Sequence, residues 1–287
     1  MVANDVAREE VRCALCDSDN STLLFEVGGK QRNGVYLDSV FHPITRRERI
    51  VRCQECGLVY VNPRLAPTPG LTTYSIAEEL AYFEATQADR QMGNQELLSR
   101  LEQLLHGSGR LLDVGCGDGL LLAQAKGRGW ETWGLEVSAE LVMRIRANYG
   151  LNHIFHGTLQ EADYSPAYFD AVLCINVLEH LRNPRETIAE MVRVTRPGGI
   201  IAVHTPNLKS LVARWRGAGW RHFEPYEHFY YFSPKTLSRL LTSSGLEVVG
   251  PFALYGRSKA KRWLLKASHR LGLQLDNGLG LLACRPH

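Results

Sequence analysis

The stretch Leu111-Leu112-Asp113-Val114-Gly115-Cys116-Gly117-Asp118-Gly119 constrains the fold more than any other part of this chain. An apolar run ends in a carboxylate and is followed by glycines at alternate positions, the pattern of a strand that turns sharply into a helix. Glycines let backbone amides approach a ligand closely, and the helix N-terminus behind them carries partial positive charge. A second acid, Glu136, closes the next apolar segment, Thr132-Trp133-Gly134-Leu135, where a carboxylate can accept both hydroxyls of a ribose. Two nucleotide-binding readings compete. The dinucleotide fingerprint is GxGxxG with an acid about 20 residues later. Here the spacing is GxGxG and Glu136 lies slightly nearer. Asp113, just before the first glycine, would repel a pyrophosphate and attract a cation. A strand–turn–helix with convenient glycines and no ligand is the plain alternative.

Strands and helices alternate after this motif. A helical pattern runs from about Ser75 to His106, with Leu97, Leu98, Leu101, Leu104 and Leu105 at helix spacing, and Gly107-Ser108-Gly109 ends it. A helix to about Arg128, the strand ending at Glu136, a helix near 139–148 and a short strand near 153–156 follow. Phe169-Asp170-Ala171-Val172-Leu173-Cys174-Ile175 reads as a buried strand, 187–194 as a helix ended by Arg196-Pro197-Gly198-Gly199, and 199–204 as a strand. Such alternation implies a parallel sheet covered on both faces, with ligands at the carboxyl ends of its strands.

The N-terminal part carries two CxxC units, Cys13-Ala14-Leu15-Cys16 and Cys53-Gln54-Glu55-Cys56. Each can present two thiolates from a tight turn to one tetrahedral ion. The loop between the pairs is longer than in the commonest zinc ribbons. Gly57 suits a knuckle turn, and Leu58-Val59-Tyr60-Val61 reads as the strand after it. Structural zinc, two disulfides and a redox CxxC are the competing readings, and the paired spacing favours zinc. With all ligands from protein, the ion has no open position and would stabilise the fold rather than catalyse. Cys116, Cys174 and Cys284 lie in apolar segments and read as small core residues.

With 287 residues, 45% of them hydrophobic and 22% charged, the chain suits one large domain plus a small one. A net charge of +3 does not demand nucleic acid or an anionic membrane. No apolar stretch approaches the roughly 20 residues of a membrane helix. The first ten residues lack a secretory signal's apolar core. The expectation is a protein of the reducing cytoplasm without structural disulfides.

The glycine motif resembles motif I of class I S-adenosylmethionine (AdoMet) methyltransferases. Phe169-Asp170 through Asn176-Val177-Leu178-Glu179-His180-Leu181 looks like that family's fourth strand and the turn after it. Arg196-Pro197-Gly198-Gly199 looks like the entrance to its fifth strand. Glu227-His228 through Tyr231-Phe232-Ser233-Pro234 is similar to a segment before the late helix of small-molecule members. The resemblance spans about 95–286. The cysteine-bearing start resembles the zinc modules of some sugar and natural-product methyltransferases. It implies an α/β, Rossmann-like, doubly wound and mostly parallel seven-stranded sheet with a small N-terminal zinc-ribbon-like module. The corresponding division is 1–70 as zinc-binding module, 71–106 as a helical linker or lid over the cofactor site, and 107–287 as the methyltransferase domain.

The resemblance also implies a donor site. Asp113, Gly115, Cys116, Gly117 and Gly119 would hold the amino-acid end of AdoMet and Glu136 its ribose, with Val137, Thr158, Leu159 and Asn176 completing the set. One departure is visible. Many members carry an acid after the third-strand glycine, and here Gly157 is followed by Thr158-Leu159. A hydroxyl and backbone amides, or Glu161 or Asp163, would have to serve.

Methyl transfer needs donor and acceptor in line and often a base for the acceptor. His228, flanked by Glu227 and several aromatics, and His180, after Asn176 and Glu179, are the candidates, since histidine titrates near neutral pH. Glu227 would orient His228 or bind a substrate hydroxyl; His180 has packing or capping its helix as an equal alternative. Tyr226 and Tyr231 read as pocket walls or simple packing. Arg214-Trp215-Arg216 and Trp220-Arg221-His222-Phe223 could stack a base or anchor a solvated loop, and 257–270 reads as a solvated basic helix. The expected activity is AdoMet-dependent methyl transfer to a small-molecule hydroxyl of a sugar, nucleotide-sugar or secondary metabolite. An RNA methyltransferase using the zinc module as a grip, and a non-catalytic protein that kept the fold, are the alternatives. Weak net charge argues against the first, the intact acids and glycines against the second.

Overall fold

The computed structural model describes residues 7–28, 34–37, 40–43, 47–68, 71–72, 75–254 and 277–287. The basic stretch 257–270 therefore lies outside the described residues.

Seven strands form the central sheet: β1 (Arg110–Val114), β2 (Glu131–Glu136), β3 (Ile154–His156), β4 (Phe169–Ile175), β5 (Thr195–Pro206), β6 (Glu247–Phe252) and β7 (Gly278–Cys284). Their order is β3-β2-β1-β4-β5-β7-β6. The first five are parallel, and β7 runs antiparallel to both β5 and β6. The sheet is thus the doubly wound, mostly parallel one expected from the alternation. The strand order reverses between β1 and β4, the point at whose carboxyl ends such sheets bind their ligands.

The helices are α1 (Ile76–Leu105), α2 (Leu120–Lys126), α3 (Ala139–Tyr149), α4 (Pro184–Val194), α5 (Leu211–Arg216) and α6 (Pro234–Ser243). Helix α1 begins in a capping box: Ser75 accepts from the Glu78 amide while Glu78 accepts from the Ser75 amide. It ends at His106 in the left-handed conformation. One core packs α1, α2 and α3 through Leu97, Leu98, Leu101, Leu122 and Ile145 against Leu111, Ala171 and Leu173. The opposite sheet face, through Val172, Cys174, Ile201 and Val203, packs α4 and α6.

That second core continues without a break into the cysteine module, through Phe229, Tyr230, Tyr60 and Leu58 to Cys13, Cys53 and Cys56. The strands Ser21–Val27, Glu48–Cys53 and Val59–Val61 form a four-stranded sheet with Tyr230–Tyr231 at its edge. Tyr230 pairs with Tyr60 and Tyr231 with Val59. The sheet therefore crosses the expected boundary at residue 70 and takes its last strand from the segment just after His228. A third core, around fully buried Trp220 with Ile50, Val59, Phe223 and Tyr231, seals the same junction.

Polar clamps reinforce it. Arg64 donates to Glu9 at 2.7 Å, to the Arg182 carbonyl at 3.0 Å and to the Tyr230 hydroxyl at 3.1 Å. Arg182 returns from the other side, donating to Glu9 at 2.8 Å and to the Leu65 carbonyl at 2.7 Å. Among the described residues, no helix is long and apolar enough to cross a membrane.

Candidate active site and cysteine centre

The glycine loop leaves β1 at Val114 and enters α2 at Gly119. Gly115 has φ of +73°, and a Cβ there would lie 2.5 Å from the Val177 side chain. Gly117 has φ of +56°, and its added Cβ would lie 2.8 Å from the Phe83 ring of α1. Both positions need glycine for conformation and for space. The loop amides of Gly115 and Cys116 both donate to the Leu135 carbonyl at 2.9 Å, which ties the turn to the end of β2.

Carboxylates gather around this turn. Glu136 is buried and accepts from the Gly117 amide at 3.0 Å and the Ser138 amide at 2.9 Å. Burial raises its pKa, against the pull of those amides and that of Val137. Asp113 is 3% exposed, and its Oδ1 has no hydrogen-bond partner. Burial, followed by the charges of Glu136 and Asp118, pushes its pKa up to about 8. Glu79, in the first turn of α1, joins them. Its Oε2 is buried without a partner, and burial with Glu136 and Asp118 raises it to about 7. Arg90 forms a bidentate ion pair with Asp118, at 2.6 and 2.8 Å. Two buried carboxyl oxygens are thus left without partners beside a loop too tight for any Cβ, a cradle that a cationic ligand completes.

Sequence reasoning missed Glu79. It sits next to the capping acid Glu78, where an acid reads as a partner of the helix dipole. Only the packing of α1 across the loop turns it inward.

The other residues expected at the donor site come just after β2, β3 and β4. Val137 is 61% exposed and Leu159 is buried. The Thr158 amide and hydroxyl both donate to Glu161, at 2.7 and 2.8 Å, so these groups engage one another. Asn176, at φ of +54°, pairs its Oδ1 with His204 Nδ1 at 2.8 Å. Cys116 and Cys174 are buried and Cys284 half-buried.

Beyond the end of β4 the 3-10 turn Leu178–His180 carries Glu179 and His180. The Phe229 amide donates to the Glu179 carbonyl at 2.8 Å, which brings His228 against this turn. The His180 and His228 rings meet edge to face with centroids 4.7 Å apart. His228 Nδ1 lies 2.9 Å from the His222 carbonyl and can only donate to it, leaving Nε2 with a free lone pair. That carbonyl, rather than the Glu227 carboxylate, fixes the ring. Burial is the main cause that lowers His180 to about 3, His222 to about 3 and His228 to about 4. All three are neutral at physiological pH.

Glu179 is 1% exposed. Its Oε2 and the Thr205 hydroxyl are both buried without a hydrogen-bond partner, although the hydroxyl is near enough to pull the carboxyl down. Burial still raises Glu179 to about 7. Glu227 also rises to about 7, through burial and then the charges of Glu224, Glu78 and Glu79. The first turn of α1 thus faces both the glycine loop and the histidine end. Tyr226 and Tyr231 are buried, Trp220 is core, and Trp215 is 82% exposed under Arg216.

The ligating atoms of Cys13, Cys16, Cys53 and Cys56 all lie within 4.8 Å of one another. Cys13 and Cys56 sulfurs are 3.4 Å apart, Cys16 and Cys53 sulfurs 3.5 Å apart, and all four thiols are free. A tetrahedral zinc with bonds of about 2.3 Å holds its sulfurs about 3.8 Å apart, so the cluster fits that ion with small adjustments. Each pair is followed by a left-handed residue, Asp17 at φ of +59° and Gly57 at +80°, which closes the two knuckles alike. Burial raises the Cys13 thiol, and raises Cys56 to about 11. At Cys53 burial is outweighed by backbone bonds from Cys56 and Glu55, and the thiol falls to about 7.

Residues 86–250, more than half of the chain, match the family described as "Methyltransferase domain". A ubiquinone biosynthesis O-methyltransferase from Azoarcus sp. is 32% identical over 151 residues, covering 49% of this chain and 65% of the relative. One from Idiomarina loihiensis is 30% identical over 149 residues, covering 48% and 61%. The chain therefore spans less than two thirds of the length of these relatives. A solved SAM-dependent methyltransferase from Archaeoglobus fulgidus superposes with a TM-score of 0.52 at 18% identity, covering 71% of this chain and 98% of its own, which shows a shared fold.

Proposed function

The chain belongs to the methyltransferase-domain family, and from that premise we propose that it transfers a methyl group from AdoMet to the hydroxyl of a small molecule. The observation that carries this reading is the pair of buried, unpartnered carboxyl oxygens on Asp113 and Glu79 at the glycine loop. AdoMet, when bound, supplies a methyl on a cationic sulfonium. Asp113 and Glu79, beside the close-packed glycine loop, hold its charged amino-acid end; Glu136 takes the ribose hydroxyls. Val137, Leu159 and Thr158 line the base side, and Asn176 faces the crevice beyond β4.

The acceptor meets the histidine end. His228 Nε2 takes its proton, with the ring held by the His222 carbonyl, and Glu179 and Glu227 stabilise the imidazolium. Among the described residues, the charges that act on Glu227 are the carboxylates of Glu224, Glu78 and Glu79, so a phosphate-bearing acceptor meets repulsion from them. This favours a neutral sugar or secondary-metabolite hydroxyl over a nucleotide-sugar or RNA. The relatives from Azoarcus sp. and Idiomarina loihiensis are O-methyltransferases, which agrees with a hydroxyl acceptor. The four cysteines hold a structural zinc, far in role from the chemistry.

Calorimetric titration with AdoMet tests the donor assignment. Asp113→Asn or Glu79→Gln should weaken binding. Wild-type affinity in both variants, or no binding by the wild-type chain, would refute it. Incubation with labelled AdoMet and a panel of hydroxylated metabolites, read by mass spectrometry, tests the acceptor class.

A further inference from the structure

The histidine end contains more than a proton acceptor needs. Candidate ligand atoms of Glu179, His180 and His228 all lie within 4.8 Å of one another. His228 donates its Nδ1 proton to the His222 carbonyl at 2.9 Å, and His180 has the Glu227 carbonyl as its backbone partner. A histidine that donates one ring proton to a carbonyl presents its other nitrogen as a neutral ligand, the arrangement that orients imidazoles on metals. The third member is a carboxylate 1% exposed, with Oε2 unpartnered. Among the described residues, the groups acting on it are a backbone amide and the Thr205 hydroxyl, and none is a cation. A carboxylate this deep is normally paired with a cation or bound to a metal. Leu178 and Cys174, both fully buried, and Phe229 belong to the apolar core beside this turn.

We infer that Glu179, His180 and His228 form a binding site for one divalent first-row transition cation, distinct from the four-cysteine centre. Two imidazoles and one carboxylate are a donor set suited to zinc, iron or cobalt, and three protein ligands leave open positions. Bonds of about 2.0–2.2 Å require donor atoms about 3–4 Å apart, within reach of side-chain rotation from the spacing here. The register is secured by the Phe229–Glu179 backbone bond and by the pairing of Tyr230 and Tyr231 with the cysteine module. The inference revises one step of the function proposed above and leaves the donor side untouched. With the cation present, His228 is a ligand. The acceptor hydroxyl, its acidity raised by the cation, would give its proton to the Glu227 carboxylate. An oxygen lone pair then forms the new O–CH3 bond as the methyl–sulfonium bond of AdoMet breaks, and that bonding pair leaves with the sulfur as the neutral thioether.

Cobalt(II) titration of the full-length, metal-stripped and reduced chain tests this without any assay of turnover. Cobalt in the cysteine site shows thiolate-to-metal charge-transfer bands; cobalt on nitrogen and oxygen shows only weak d–d bands. Two cobalt ions per chain, one of each kind, are expected. Glu179→Gln and His180→Ala should each weaken the second ion by more than the roughly 10–100-fold cost of losing an outer-shell partner. Both should keep the thiolate bands and wild-type AdoMet affinity, which report that the variants are folded. A single cobalt with thiolate bands alone would overturn the inference. So would a second ion that survives both changes but is lost in Glu227→Gln, because Glu224, Glu227 and His228 form an overlapping set of possible ligands.

Discussion

The glycine-loop end and the histidine end both face the first turn of α1 but are assembled over very different distances along the chain. Asp113, Gly115, Gly117 and Glu136 come from two neighbouring strands and the turn between them, and the hydrogen bonds that shape the loop stay within residues 115–138. At the histidine end, Glu179 and His180 meet His228 through one backbone bond from Phe229. The loops carrying them are then gripped from outside by Arg64, Glu9, Leu65 and the strand containing Val59 and Tyr60. A local site survives whenever its strands pair. A site made by distant loops needs a brace, and the cysteine module supplies it.

This contrast can be broken most directly by removing the brace. Structural zinc contributes binding free energy of about 10–16 kcal/mol in small zinc modules, so Cys53→Ser or Cys56→Ser should cause the largest effect. Turnover should collapse and the thermal midpoint fall while AdoMet affinity stays within about threefold. Equal loss of donor binding in calorimetry would show that the two ends are not independent.

His228→Ala comes next. Whether His228 takes the proton itself or holds the cation that acidifies the acceptor, its loss should cut turnover roughly 10²–10⁴-fold, and AdoMet affinity should not move. His180→Ala is the comparison. If it abolishes turnover while His228→Ala is unaffected, the roles of the two rings are exchanged. If both variants turn over at the wild-type rate, the histidine end has no part in the chemistry.

On the donor side Glu136→Ala removes a charged acceptor of hydrogen bonds, worth about 1.5–3 kcal/mol. AdoMet affinity should fall roughly 10–150-fold with turnover at saturation little changed. Unaltered affinity would remove Glu136 from the ribose site.

The smallest expected effect is that of pH. Asp113 and Glu79 have folded-state pKa values raised to about 8 and about 7. The folded protein therefore binds more protons than the unfolded chain above about pH 4, and its stability without ligand should decline as pH rises toward 8. A cation favours the ionised carboxylates, so AdoMet affinity should rise over the same window, by a few-fold between pH 7 and 8. Asp113→Asn should flatten both curves. Affinity that falls with rising pH would contradict the assignment.

The parts of this protein legible in its sequence are those encoded by neighbours. Alternating apolar runs implied the parallel sheet, since each strand's burial is written in its own residues. The spacing of glycines and acids marked the tight glycine loop, and the CxxC pairs marked the cysteine centre. The helical spacing of leucines marked α1 and its start near Ser75. Other features had no local signal. Glu79 reads as a surface acid until α1 crosses the glycine loop. Trp220 reads as a stacking residue until it closes the core between module and sheet. The Glu227 carboxylate reads as the natural partner of His228, but chain geometry gives that role to the His222 carbonyl. Glu179, one residue before a candidate base, becomes notable only when burial removes it from water without a cation beside it. Backbone pairing, turn conformation and hydrophobic period act over a few residues, and a sequence states them directly. Desolvation and the meeting of distant loops depend on how all the segments pack together, and only the tertiary structure determines them.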